Sequence, residues 1–467
     1  FSQKQLIFYY YKNKYILKML SKQIPFQKVK IIDSTYFTSK KCSLVEYFQK
    51  YIEKGSINEC VINLCIISFG VGLLALPQKV QYLTIIFMPI IIIICAAINY
   101  WTFIVLGEAS RKLSMTKYED IVSSLFNRYF SYFFKFIICI GLFGEIILFQ
   151  VILFKFIGGI INELFAYGYP NMEIFSTESF WGEKKIRLIV CYSITLLIYV
   201  PLGMLKSISQ MRYVSAFGIF SIFLVIFIIV IQCPKFYYHN VSKKKMKINY
   251  IDLSIGFGKD LKFITSLSTI IYAYDCHAGI FPVISSLINP SESRIKCVFK
   301  RSTIIISISY IIITLAGYLS QPQKTPDLIL ERDKITNNDY LMIIGLILFS
   351  LTIMTKIGAL FNCLRSLLLN FLKYDLNNYP NNINLLMIFI VFMVSTFIAT
   401  TFQNISDYIS LIGSFYGLTI AIIMPGAIYI KFKDRPKYKK YLTFIFILIF
   451  CCIGVFTIYS TLKKILN

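Results

Sequence analysis

Long apolar stretches recur along the chain, and short segments between them carry most of the charged residues. A helix needs about 17–25 mostly apolar residues to cross a lipid bilayer. By this measure the sequence predicts an all-α integral membrane protein with about eleven transmembrane helices. The predicted spans are residues 58–77, 83–107, 132–166, 186–203, 213–232, 260–282, 303–320, 339–370, 382–402, 408–430 and 441–462.

The composition supports a chain that is embedded in lipid. Apolar residues make up 57% of the 467 residues and charged residues 15%, whereas a soluble protein carries about 25% charged residues. This excludes a cytosolic enzyme, a disordered chain and a secreted disulfide-rich module. We expect one transmembrane domain, 58–462, between a basic cytoplasmic N-terminal tail, 1–57, and a short C-terminal tail, 463–467.

The distribution of Lys and Arg predicts the orientation. Eleven spans place the two termini on opposite sides, and the side that holds the N-terminus carries 28 Lys and Arg against 15 on the other, with Arg187 at the start of the fourth span counted among the 15. Positive residues concentrate in cytoplasmic loops, so we expect a cytoplasmic N-terminus and a lumenal or extracellular C-terminus. The loop 233–259 departs from the rule because it carries four Lys between 243 and 247. The Lys and Arg residues behind the net charge of +25 are concentrated on one side of the membrane. The membrane orientation therefore explains the charge, and no nucleic-acid partner is predicted.

The first span contains Gly70-Val71-Gly72 at its middle and Pro77 near its end, where helical continuity is weakest. In lipid a broken helix is tolerated only against protein or a water-filled cavity, because its freed N–H and C=O groups need partners. The break therefore indicates a binding site. A close helix–helix contact through two small residues explains the same pattern, and both interpretations stay open.

The sixth span places Asp275, His277, Gly279 and Pro282 in the second half of an apolar helix. Each ionisable group there costs about 2.5–3.5 kcal/mol on insertion scales. The pattern predicts a second helix break with a polar lining. Asp275 is also a candidate N-cap of the second half-helix, and the two roles are compatible because a helix N-terminus attracts anions.

Spans one and six occupy corresponding places in two five-helix halves, with the eleventh span left over. Transporters built from inverted repeats are interrupted at such equivalent places. The sequence contains no Gly-rich nucleotide loop, no HExxH and no CxxC, so no catalytic residue, metal ligand or cofactor is predicted. The pattern favours a transporter over a membrane enzyme.

Four segments resemble the amino acid/auxin permease family, and within it the vacuolar and vesicular amino-acid transporter branch. The likeness lies in Gly-x-Gly-Leu-Leu-x-Leu-Pro of the first helix, an aromatic-x-Cys-His run with Pro in the sixth, Thr-Lys in the eighth, and Gly-Ser with a later Pro in the tenth. In this sequence these segments are Phe69–Pro77, Tyr272–Leu287, Thr355–Arg365 and Ile409–Pro425.

The resemblance implies a five-plus-five inverted-repeat fold with interrupted helices one and six and one extra C-terminal helix. It also implies that the carboxylate of an amino acid meets freed N–H groups of the first helix, while its ammonium meets carbonyls of helices one and six. The implied substrate-binding residues are Phe69, Gly70, Val71, Gly72, Tyr272, Ala273, Tyr274, Asp275 and His277.

The resemblance further implies protons rather than sodium as the coupling ion. Sodium-coupled relatives have an Asn four residues before the Gly-x-Gly, where this chain has Ile66, and a hydroxyl residue in the eighth helix near the position of Lys356. The Lys356 ammonium would take the place of the cation, charged in one conformation and neutral in the other. Alternatively, Lys356 snorkels to an interface or pairs with an acid.

Other charges inside the spans have less certain partners. Glu145 and Lys155 are ten residues apart, about 15 Å along a helix, so they cannot pair directly. Lys135 and Lys262 lie at span ends, where snorkelling is expected. Arg365 belongs to the eighth-helix segment that carries the resemblance and also lies near its cytoplasmic end, so a role in that segment and a role at the interface both stay open.

These observations predict a secondary active transporter for amino acids in a vacuolar, lysosomal-type or plasma membrane. Two alternatives stay open: an amino-acid sensor with the same fold that signals through the basic tail, and a sodium-coupled transporter. A channel is disfavoured, because the sequence contains no filter-like repeat.

Overall fold

Sixteen α-helices make up most of the computed structural model, which describes residues 55–168, 184–204, 212–254, 256–257, 261–333, 335, 339–374, 379–401 and 405–466. Nearly all of the predicted N-terminal tail therefore lies outside the described residues. The helices are α1 Ile57–Ser68, α2 Val71–Leu83, α3 Phe87–Leu113, α4 Tyr118–Leu125, α5 Arg128–Gly168, α6 Lys184–Ile194, α7 Val200–Met204, α8 Arg212–Tyr237, α9 Lys262–Ala273, α10 Ile280–Ser286, α11 Glu292–Ser320, α12 Tyr340–Phe371, α13 Asn381–Thr401, α14 Ile405–Ile412, α15 Met424–Lys431 and α16 Lys437–Leu466.

Each predicted span coincides with helical structure, but fewer than eleven have the length of a membrane span. Within the described ranges, nine segments are long and apolar enough to cross a bilayer, and the bent pair α1–α2 makes a tenth. The predicted span 186–203 falls on the shorter apolar helix Leu188–Met204. Seventeen helical residues extend about 25 Å, less than the hydrocarbon thickness of about 30 Å. Over the residues that the structure describes, the protein is thus an all-helical membrane protein with nine or ten apolar spans.

The first span is broken between α1 and α2, whose axes differ in direction by 59°. Phe69 and Gly70 form the break, and both have extended backbone conformations. The prediction that the span ends near Pro77 is wrong, because α2 continues through Pro77 to Leu83. A proline inside a helix removes one N–H donor and crowds the carbonyl group four residues earlier, and α2 nevertheless continues past Pro77.

The sixth span is broken as predicted. Its first half, α9, ends at Ala273, and a short 3₁₀ turn, His277–Gly279, precedes the second half, α10. Asp275 is not the N-cap of α10, because Gly279 holds that position without a side-chain hydrogen bond. The Asp275 carboxylate instead accepts a hydrogen bond of 3.4 Å from the backbone N–H of His277. The N-cap interpretation was therefore wrong.

The tenth span is irregular in a way that the sequence did not predict. Two π-helical turns, Gly413–Gly417 and Thr419–Ile423, connect α14 to α15. A Cβ atom at Gly413 would lie 2.7 Å from the Ser268 carbonyl oxygen and 2.9 Å from the Tyr272 Cβ. The glycine thus allows α9 to approach the wide turn closely. Wide turns of this kind are frequent at functional sites.

Arg365 anchors three helices instead of reaching an interface. The residue is only 4% exposed, and its guanidinium donates to the Gly203 carbonyl oxygen at 3.0 Å and to Asn384 Oδ1 at 3.2 Å. These contacts join α12 to α7 and α13. The interface role is wrong because the side-chain donors have fixed partners inside the protein.

The helix α16 packs along α15 and the π-helical turns and runs to Leu466, beyond the predicted end of the span at 462. Only 17% of the most apolar 18-residue stretch of this helix is buried inside the protein. Most of the helix therefore presents apolar side chains to lipid. Towards the centre, α2 packs against both α9 and α11. This packing places the two helix breaks side by side in the interior.

Candidate functional site

The two breaks touch at Gly72 and Ala273. A Cβ atom at Gly72, in the first turn of α2, would lie 2.5 Å from the Ala273 Cα and 2.7 Å from its Cβ. Gly72 is therefore a close helix–helix contact, as one interpretation of the sequence proposed. Gly70 is different: a Cβ there would approach nothing closer than the Lys356 Nζ at 3.4 Å.

Backbone groups are freed on both sides of the first break. The N–H groups of Val71 and Gly72 open α2 and have no partners within their own helix, whereas the Leu73 N–H already donates to the Gly70 carbonyl oxygen at 3.3 Å. Gly70 contributes no side-chain cap. These groups lie at the positive end of the helix dipole, which favours an anion. On the other side of the break, the carbonyl oxygens of Ser68 and Phe69 both accept hydrogen bonds from side chains of distant helices.

Lys356 of α12 lies at the break of the first span. Its ammonium group donates a hydrogen bond to the Phe69 carbonyl oxygen. Since the ammonium reaches inward to this backbone carbonyl, snorkelling to an interface does not describe its position. Lys356 also interacts electrostatically with Glu145 of α5, although the pair is not within salt-bridge distance.

Two acids face this region from different elements. Glu145 interacts electrostatically with both Lys356 and Asp275, so one lysine and two carboxyl groups from α5, α12 and the second break share one neighbourhood. Lys155, ten residues beyond Glu145, interacts instead with Glu331 in the segment before α12. The expectation that Glu145 and Lys155 do not pair agrees with these separate partners.

His277 is fully buried beside the second break. Its Nε2 is 2.8 Å from the Thr102 hydroxyl and its Nδ1 is 3.4 Å from an Asp275 carboxylate oxygen. The ring also packs edge-on against Phe103, with centroids 4.9 Å apart. Both ring nitrogens therefore have protein partners, and one of these partners is Asp275.

The two tyrosines of the sixth span pack in different directions. The Tyr274 hydroxyl lies 2.7 Å from the Ser307 hydroxyl and 3.3 Å from the Ile92 carbonyl oxygen, which attaches the end of α9 to α11 and α3. Tyr272 packs against the wide turn of the tenth span, next to Gly413 and Gly417. The structure thus brings together Phe69–Gly72, Ala273, Asp275 and Lys356 at the breaks. The side chains of Tyr274 and His277 bond instead to neighbouring helices.

Comparison with known sequences identifies the family. The sequence profile described as "Transmembrane amino acid transporter protein" matches residues 53–466. The chain belongs to this family. The match confirms the resemblance that the four motifs indicate.

Relatives of this family member are distant in sequence. Amino acid transporter AVT6B of Arabidopsis thaliana is 25% identical over 267 residues, which are 56% of this chain and 56% of that protein. Vacuolar amino acid transporter 5 of Schizosaccharomyces pombe is 20% identical over 395 residues, which are 82% of this chain and 86% of that protein. The match thus covers little more than half of the plant relative's own length.

The fold is shared with a solved transporter structure. A crystal structure of the Eremococcus coleocola manganese transporter, in complex with an aromatic bis-isothiourea substituted compound, matches with a TM-score of 0.59 at 11% identity. The alignment covers 94% of this chain and 92% of that one. At this identity the likeness concerns the fold alone.

Within the described ranges of this amino acid transporter family member, no group of three His, Cys, Asp or Glu side chains could hold a metal ion.

Sequence reasoning missed Tyr310 of α11. Its hydroxyl contacts the Ser68 carbonyl oxygen at 3.1 Å and also the Ala273 carbonyl oxygen, so it reaches both breaks at once. No motif distinguishes this residue from the other members of a set of 33 tyrosines. Its partners lie 242 and 37 residues away in sequence, and only the folded arrangement reveals them.

Proposed function

We propose that this protein is a secondary active transporter that moves amino acids across a membrane by alternating access, with protons as the coupling ion. The observation that carries the proposal is the hydrogen bond from the Lys356 ammonium to the Phe69 carbonyl oxygen inside the first break. This contact supports the proposal because a group that can gain or lose a proton meets the backbone to which we assign substrate binding.

The broken helices offer complementary charges to a zwitterion. The N-terminus of α2, at Gly70–Gly72, presents N–H groups and the positive end of a dipole to a carboxylate. The carbonyl ends of α1 and α9, together with Asp275, present negative charge to an ammonium group. Backbone groups recognise the part that all amino acids share, and surrounding side chains are left to select among them.

Coupling to protons follows from the place of Lys356. When protonated, its ammonium donates to the Phe69 carbonyl and holds α1 to α12. Without the additional proton the nitrogen carries no charge, so the ion–dipole attraction that holds the break weakens. Glu145 interacts electrostatically with Lys356, so a change in the charge of Lys356 alters the electrostatic field at this nearby acid. A sodium ion would compete with this ammonium for the Phe69 oxygen, which disfavours sodium coupling at this position.

The proposal also specifies the topology: the number of spans, the relation between the two halves and the side on which each terminus lies. Eleven spans form two inverted five-helix halves with breaks in their first members, and α16 is the extra helix. The N-terminus is cytoplasmic and the C-terminus lumenal or extracellular, as the distribution of Lys and Arg favours. The membrane is that of a vacuole or lysosome-type organelle, as the named vacuolar relative suggests, or the plasma membrane.

Uptake of labelled amino acids into proteoliposomes tests the coupling. We expect an imposed pH gradient to drive accumulation in the unmodified protein and Lys356→Ala to abolish that accumulation, while equilibrium binding of the substrate stays within about threefold. Lys135→Ala is the matched control, because this lysine of α5 is partly exposed and its electrostatic neighbours are Glu119 and Tyr132, which belong to neither break. Unchanged pH dependence in Lys356→Ala would remove Lys356 from the mechanism. Accumulation driven only by a sodium gradient would contradict proton coupling.

A further inference from the structure

Carbonyl groups freed at the two helix breaks converge on one side chain of α11. The Tyr310 hydroxyl lies 3.1 Å from the Ser68 carbonyl oxygen, at the end of α1. The same hydroxyl contacts the Ala273 carbonyl oxygen, at the end of α9. It also lies 3.1 Å from the Ser68 hydroxyl. One phenol therefore meets three oxygens that belong to both breaks.

The surroundings fix the Tyr310 ring in place. The residue is 0% exposed, and Ser68 and Ala273 are 4% and 2% exposed. The ring packs edge-on against Tyr274, with centroids 5.0 Å apart, and against Phe69 at 6.0 Å. Both of these neighbours are themselves residues of the breaks, so ring and hydroxyl contact the same two segments.

The Tyr310 hydroxyl is hard to replace because few hydrogen-bond donors are present among the groups that it contacts. We call these groups, the Ser68 hydroxyl and the carbonyl oxygens of Ser68 and Ala273, the carbonyl cluster. A tyrosine hydroxyl donates one proton and accepts through its oxygen, so it serves one carbonyl at a time while the Ser68 hydroxyl can donate to it. The residues that supply these groups are buried, and a buried carbonyl without any donor is costly. Without the hydroxyl, the ends of α1 and α9 would therefore lose a donor that they share.

We propose that Tyr310 is a positioning residue that ties the carbonyl end of the first break to that of the second, so that the two walls of the substrate site keep one relative arrangement. The inference rests on the proposed function where it concerns substrate affinity. Its structural part, the link between the breaks, does not depend on transport.

Tyr318 offers a matched control on the same helix. It is also a buried tyrosine, 1% exposed, and its hydroxyl accepts a hydrogen bond of 2.9 Å from the backbone N–H of Asn249. That partner lies in the loop after α8, away from both breaks. Tyr318→Phe therefore removes a comparable bonded hydroxyl from α11 without altering the carbonyl cluster.

Hydrogen–deuterium exchange of the full chain in detergent micelles tests the link without any substrate. We expect Tyr310→Phe to raise amide exchange about tenfold or more in both peptides that cover 66–73 and 272–280, with no change there in Tyr318→Phe. Faster exchange in only one of the two segments, or in neither, would overturn the proposal. If Tyr310→Phe does not fold, Ser68→Ala, which removes only the neighbouring hydroxyl, is expected to raise exchange in the same two peptides by a smaller factor. Unchanged exchange in a folded Ser68→Ala would then overturn the proposal.

Transport kinetics test the consequence for the substrate. In proteoliposomes we expect Tyr310→Phe to raise the amino-acid KM about tenfold while kcat falls less than threefold, and Tyr318→Phe to leave KM unchanged. A purely structural role would lower the amount of folded protein and leave KM unaltered, which would contradict the proposal. Absence of transport by the unmodified protein would refute the proposed function alone, because the exchange experiment still decides the link.

Discussion

At the residue scale, the two glycines of the first break have different tasks. Gly72 is a contact residue, because α9 leaves no room for a Cβ atom there, whereas Gly70 has ordinary van der Waals distance to its nearest neighbour, the Lys356 Nζ. The sequence presents them as equivalent members of one Gly-Val-Gly pattern. Ala273 lies across the helix interface from Gly72 and not from Gly70. Only this position shows that Gly72 is required for packing, whereas the backbone at Gly70 is open.

Alanine substitutions at these glycines distinguish the two tasks. We expect Gly72→Ala to lower the free energy of unfolding by about 1–3 kcal/mol, because a Cβ at 2.5 Å from the Ala273 Cα forces α2 away from α9. Gly70→Ala is expected to change it by less than about 0.5 kcal/mol. Chemical unfolding in detergent micelles measures both. Equal losses in the two variants would contradict the assignment of Gly72 as the contact residue.

At the element scale, the far half of α2 is attached to two other segments by a polar cluster. Lys79, only 3% exposed, donates to Ser406 Oγ at 2.6 Å and to Gln78 Oε1 at 2.9 Å. Gln78 in turn donates to an Asp327 carboxylate oxygen at 2.5 Å. The cluster therefore joins α2 to α14 and to the segment after α11. A broken helix whose second half is attached in this way can move only together with those contacts.

Removal of the Ser406 hydroxyl tests the importance of this attachment. We expect Ser406→Ala to destabilise the protein by about 1–3 kcal/mol, because a buried ammonium loses one of its acceptors. Ser414→Ala is the control, since that buried hydroxyl donates to the Leu411 carbonyl within its own turn, at 2.9 Å, a local bond of small value. Thermal unfolding of the two variants compares them. A loss in Ser414→Ala as large as in Ser406→Ala would contradict the account.

Both helix breaks could be predicted from the sequence, and the family resemblance pointed to Lys356, whereas the other side chains from distant helices could not be predicted. Glycines in the middle of a span weaken helical continuity, and Asp275 and His277 are costly in an apolar helix in lipid, so both patterns indicate a local departure from the helix. The partners Tyr310, Thr102 and Ser406 come from other spans and belong to common residue types without a motif. The π-helical turns of the tenth span were missed for a similar reason: their width becomes apparent only where α9 packs against Gly413.

At the scale of the whole molecule, the spans surround two adjacent helix breaks. The breaks bring the partly positive N–H groups of α2 close to the partly negative carbonyl groups of α1 and α9. Family membership and the fold shared with a solved transporter agree with this arrangement. The hydrophobic pattern predicted eleven spans, and nine or ten reach membrane length in the part of the chain that the structure describes. The remaining segment, Leu188–Met204, is shorter than the bilayer because its apolar run is short.

The central claim is that the protein moves amino acids, and does not merely bind them. The most direct measurement is uptake of a panel of labelled amino acids by proteoliposomes of the purified full chain, with an imposed pH gradient and, separately, an imposed sodium gradient. The account predicts accumulation of at least one amino acid with the pH gradient alone, and its collapse when a protonophore removes the gradient. Saturable binding without accumulation under either gradient would contradict transport and identify the protein as an amino-acid sensor.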